Sequence, residues 1–111
     1  MITVTVYRTD GSYSGFKAEG HAGYAEEGED IICAAASVLM INTVNAIEAL
    51  TSDEVSAEEG ASGYLSCTFP GGLSPQGKLL MDAMLLGLSQ VSETREADSG
   101  KPYVSVLFEE V

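Results

Sequence analysis

The sequence predicts an α+β fold: a mostly antiparallel sheet with two helices packed on it, in the order β-β-α-β(β)-α-β. Three observations carry this. Residues near both ends and in the middle alternate apolar with polar, the period of a strand with one buried face. Two longer segments carry helical composition and spacing. Hairpins and lone helices in this order suit a mostly antiparallel sheet with helices packed on it.

The first strand is Ile2, Val4 and Val6 alternating with Thr3, Thr5 and Tyr7, and Asp10-Gly11 supplies the turn. Tyr13 to Ala18 then pairs back as a hairpin and delivers Gly20 and His21 at its exit. From Asp30 to about Leu50 the alanines, leucine and methionine favour a helix with Asp30 as N-cap, which places Cys33 at the third helical position. Thr51 to Gly63 is acidic and contains a short edge strand around Val55 and Ala57. Tyr64 to Phe69 alternates again, with Cys67 on the core side, and Pro70-Gly71-Gly72 ends it. Ser74-Pro75 reads as N-cap and first helical residue of a second helix, its buried stripe Leu80, Ala83, Met84, Leu88 and Val91. Tyr103 to Phe108 is the last strand.

Composition bounds the function. A chain of 111 residues with 45% hydrophobic and 20% charged residues is one domain, 1–111, with a core that needs neither staples nor metals. Its net charge of -12, from 17 acids against five bases, repels a phosphate backbone, so a nucleic-acid face is excluded and a basic partner fits better. The N-terminus has no basic segment followed by an apolar run, which predicts no export, a cytoplasmic location and two free thiols. The longest apolar run, Ile31 to Ile41, is expected to be a buried helix rather than a bilayer span. That helix is apolar almost all round, so one face must meet something besides its own sheet, and a homodimer interface is the simplest answer.

Chemistry concentrates between His21, the only histidine, and Cys33, one of two cysteines. A thiol in the first turn of a helix meets unpaired backbone N–H groups and the positive end of the macrodipole, and both favour thiolate. A nearby imidazolium stabilises it further and can protonate a leaving amine. Asp30 either caps the helix or also orients His21, and Ser37, one turn beyond Cys33, shares its face. Gly20, Ala22, Gly23 and Gly28 belong to a loop with the freedom of a substrate lid. Read from spacing alone, a lone histidine and a helix cysteine are equally at home as structural residues. One histidine and two cysteines without a close-spaced ligand pair give no metal site, and no nucleotide-binding or serine-hydrolase motif is present, so no cofactor is expected.

The run Gly20-His21-Ala22, a short loop, then Gly28, Asp30-Ile31-Ile32-Cys33-Ala34-Ala35 and Ser37 resembles the ribosomal-processing cysteine proteases of the Prp family. The resemblance is specific over residues 20 to 37 and extends as a pattern over the rest of the chain. It implies that Cys33 is the nucleophile, His21 its acid and base partner, and Asp30 and Ser37 supporting residues. It also implies a mobile loop over the site, a homodimer, and a ribosomal-protein precursor as substrate. That substrate would be the N-terminal extension of large-subunit ribosomal protein twenty-seven, cut after a pair of phenylalanines. The competing reading is a non-enzymatic ribosome-assembly or adaptor dimer that binds a basic partner through structural His21 and Cys33. A third reading, a redox pair of Cys33 and Cys67, requires adjacent sulfurs, and nothing in the sequence predicts that.

Overall fold

The computed structural model describes residues 2–20, 27–60, 64–93 and 102–111; the side chains of residues 27–30 lie outside that description. Strand β1 (Ile2–Thr9) buries Ile2, Val4 and Val6 and leaves Thr3, Thr5 and Tyr7 half-exposed on the other face. Asp10 and Gly11 both have positive φ, 51° and 80°, the signature of a type I′ turn, so β2 (Ser12–Glu19) folds straight back antiparallel on β1. Helix α1 (Glu27–Leu50) follows, then β3 (Ser56–Glu59), β4 (Leu65–Thr68), helix α2 (Pro75–Ser92) and β5 (Val104–Glu110).

The sheet order is β3-β4-β2-β1-β5. All pairings are antiparallel except β1 with β5, which run parallel from Ile2 opposite Val104. Both crossovers, β2 through α1 to β3 and β4 through α2 to β5, join strands that point the same way. Both helices lie on one face of the sheet, packed on each other, and both approach β5. One core forms between the helices and the sheet face that carries Val4, Val6, Phe16, Ala18, Cys67 and Val104, with Ala36, Met40, Ile47, Met81, Met84 and Leu88 from above. Full burial of a side chain such as Phe16 or Leu88 is worth about 1.5–3 kcal/mol, so these positions carry most of the hydrophobic stabilisation.

Helix α2 starts as its sequence predicts. Ser74 is the N-cap, its hydroxyl accepting from the Gly77 N–H at 3.1 Å, and Pro75 occupies the first turn. Its buried stripe is rotated from the expected one: Gly77, Met81, Met84 and Leu88 are buried, Leu80 and Val91 only partly, and Ala83 is exposed. Gly87 sits against Leu39 where the helices touch. Phe108 also leaves the core: it is 53% exposed, and its ring centroid lies 4.3 Å from the Arg8 guanidinium carbon, a cation–π contact at the end of β1.

Helix α1 differs from expectation in two respects. It begins at Glu27, three residues before Asp30, so Asp30 is a residue of the helix and not its N-cap. It is also not a buried helix: Ile31, Val38, Ile41 and Leu50 are 41–74% exposed. The 20-residue stretch Ile31–Leu50 has a mean hydropathy of 1.7, long and apolar enough by composition to cross a membrane, contrary to the expectation from the shorter run. Its inner stripe, Ala36, Met40, Val44 and Ile47, packs in the core, and its outer stripe is left uncovered among the described residues.

Candidate active site

β2 ends at Glu19, and Gly20 takes φ 93°, a backbone angle that suits glycine and turns the chain out of the sheet. The same end of the sheet holds the start of β1, the start of β4 (Leu65 opposite Ala18) and the end of β3 (Glu59 opposite Leu65). Helix α1 begins at this end as well, because it must run back over β4 before β3 can set out. The topology therefore gathers the exit of β2 and the first turns of α1 at one edge of the molecule.

Cys33 is half-buried, packed against the edge of the core. Ser37 is likewise half-buried one turn on, and at about 100° per residue the two share a face. Leu39 marks the side of α1 that touches α2. Cys33 and Ser37 lie about 120° and 160° around the axis from it, on the side away from α2.

Cys33 is the seventh residue of α1, not the third. The amides without an intrahelical acceptor are those at the helix start, residues 27–29, and the macrodipole acts mainly there. The Cα–Cβ bond of a helical residue tilts toward the N-terminus, so the Cys33 side chain leans back over that turn. The helix end is therefore a neighbour of the thiol and not its immediate cap, and activation must depend more on a partner side chain than the sequence implied. Gly28 and Asp30 belong to the first turn of α1. His21, Ala22 and Gly23 lie outside the described residues.

Cys67 is 1% exposed in β4, and burial pushes its thiol up to about 11. It is the core residue that the alternation predicts, and neither cysteine is in a disulfide. No group of three or more metal-binding side chains occurs among the described residues.

Residues 1–98 match the family described as cysteine protease Prp. The chain belongs to the Prp cysteine protease family. It is 32% identical over 100 residues to the ribosomal processing cysteine protease Prp of Bacillus subtilis, covering 88% of this chain and 89% of that protein. The Staphylococcus aureus Prp is 32% identical over 95 residues, covering 84% and 90%. Among solved structures, S. aureus Prp in complex with a substrate peptide superposes with a TM-score of 0.83 at 27% identity, over 98% of this chain and 100% of that one. A Streptococcus mutans protein gives 0.76 at 32% identity over 98% and 96%. A further S. aureus Prp structure holds a covalently linked product peptide. This protein is thus a cysteine protease of the α+β Prp fold, and the adaptor reading falls away.

Proposed function

We propose that this protease removes the N-terminal extension of large-subunit ribosomal protein twenty-seven, cutting after a pair of phenylalanines, with Cys33 as nucleophile and His21 as its acid and base. The observation that carries the reading is the half-buried Cys33 on the flank of α1, at the sheet end to which β2 brings residue 20, one step before His21. The other cysteine is sealed in the core with a raised pKa, which leaves Cys33 as the thiol available for chemistry. The B. subtilis and S. aureus relatives are named for ribosomal processing, which supports the substrate class.

In the mechanism the Cys33 thiolate, paired with the His21 imidazolium, adds to the scissile carbonyl carbon. The carbonyl π electrons move to oxygen, and the amides of residues 27–29, without intrahelical acceptors, are the nearest helix donors for that oxyanion. When the oxyanion collapses, the C–N bond breaks and His21 gives its proton to the departing amine. Water then attacks the thioester while His21 takes its proton, and the C–S bond breaks to release the acid and restore the thiolate. In this mechanism Ser37, on the same face as Cys33, holds the peptide or that water, and Asp30 supports His21.

The working form is a homodimer, with the outer stripe of α1 (Ile31, Val38, Ile41) and the outer face of α2 (Leu79, Leu86) covered by a second copy. Two cysteines outside any disulfide suit the reducing cytoplasm. Incubating the protein with the precursor ribosomal protein and weighing the products tests the reading: loss of the extension after Phe-Phe is expected, and an intact precursor contradicts it.

A further inference from the structure

We propose that the free edge of β3 is a docking strand for the substrate: an extended, lysine- or arginine-bearing segment of the polypeptide, remote from the scissile bond, pairs on it as a sixth strand. The inference rests on the proteolytic reading above and adds where the rest of the substrate lies. β3 is an edge of the sheet, and all four of its residues are exposed. The Gly60 N–H donates to the Tyr64 carbonyl at 2.9 Å, which fixes the alternation of the β3–β4 ladder. Counting back from that pair, Glu58 and Ser56 direct their main chains to β4. Ala57 and Glu59 direct theirs outward, unpaired with any strand.

Three further features favour a basic peptide here. Glu54, Glu58 and Glu59 line the strand and its approach, all exposed, in a protein of net charge -12. A groove of about 300 Å³ lies beside it on the open sheet face, lined by Ser56, Ala57, Glu58, Ser66 and Thr68. β3 also runs toward the sheet end where β2 exits and α1 begins. A strand laid on this edge therefore reaches the end of the molecule that carries the start of α1. The other edge does not offer this: near the site end, β5 is buried or half-buried at Val104, Ser105 and Val106, and its exposed residues, Leu107 to Glu110, lie at the far end.

Proline at position 57 tests the pairing, because it removes an outward N–H and leaves the inward ladder intact. The Ala57→Pro protein is expected to lose roughly three- to ten-fold in kcat/KM, the worth of one hydrogen bond, on a precursor peptide that extends well beyond the scissile bond. It should cleave a short peptide confined to the scissile residues as the wild type does. Because proline can also strain the strand, a second measurement uses Cys33→Ala protein and the long peptide. Hydrogen exchange at the Ala57 and Glu59 amides should slow on binding while Glu58 stays as it was. Equal losses on both peptides, or a bound peptide that leaves Ala57 and Glu59 exchanging unchanged, overturns the docking strand while leaving the proteolytic reading in place. A precursor that the wild type neither binds nor cleaves overturns the proteolytic reading, and this proposal with it.

Discussion

Asp53 and Ser74, 21 residues apart, are locked together: the Asp53 carboxylate accepts the Ser74 N–H at 3.0 Å and the Ser74 hydroxyl at 2.8 Å. The same hydroxyl accepts from the Gly77 N–H, so one carboxylate holds the N-cap of α2 and ties the end of α1 to the start of α2. Asp53→Ala leaves a part-buried N–H and hydroxyl without this acceptor and is expected to cost about 1.5–3 kcal/mol, the range for hydrogen bonds to a charged group. Urea unfolding measures it as a lower midpoint at unchanged slope.

Gly15 is fixed by steric contact. A Cβ there would lie 2.4 Å from the Cys67 carbonyl oxygen and 3.2 Å from the Thr68 Cα, both backbone atoms of the paired strand β4. Gly15→Ala must push β2 and β4 apart and is expected to destabilise by about 1–3 kcal/mol. Gly71→Ala, which meets nothing within 4 Å, is the control expected to change little.

Alkaline pH should weaken the fold in a defined window. Burial raises the Tyr13 phenol to about 12, aided by its hydrogen bond to Asp82 and that carboxylate's charge, and burial raises the Cys67 thiol from 9.0 to about 11. Between the ordinary and the raised values the folded protein keeps a proton that the unfolded chain has lost, so stability falls as pH rises. The contribution is complete below about pH 9 and is lost progressively between about pH 9 and 12. Chemical denaturation across this range should trace the fall, and Tyr13→Phe should flatten its upper part.

The uncovered apolar face predicts self-association. Leu86 is 62% exposed on α2, so replacing it costs little folding energy and introduces a charge into the proposed interface. Leu86→Arg is expected to sediment as a folded monomer where the parent chain sediments as a dimer. A parent chain that is monomeric at micromolar concentration removes the dimer.

The order of elements, one hairpin turn and one helix cap were legible where local chemistry decides them. Asp10-Gly11 announces its turn, Ser74-Pro75 its helix, and Cys67 its place on the buried side of an alternating strand. What escaped depends on partners far away in sequence. Leu39 and Gly87 meet 48 residues apart where α1 and α2 touch, and Arg8 stacking on Phe108 lets an aromatic side chain stay at the surface. The start of α1 escaped for a local reason: Asp30 is as good a cap as any in the segment, but the helix extends past it to Glu27. That shift changes the chemistry assigned to Cys33. A thiol in the second turn draws less on the helix end, and more of its activation falls to His21.

The direct test is mass spectrometry of precursor ribosomal protein incubated with the wild-type chain and with Cys33→Ala. The account predicts that the wild type releases the extension after the paired phenylalanines and that Cys33→Ala leaves the precursor intact. Cleavage by Cys33→Ala, or none by a folded wild type, contradicts it.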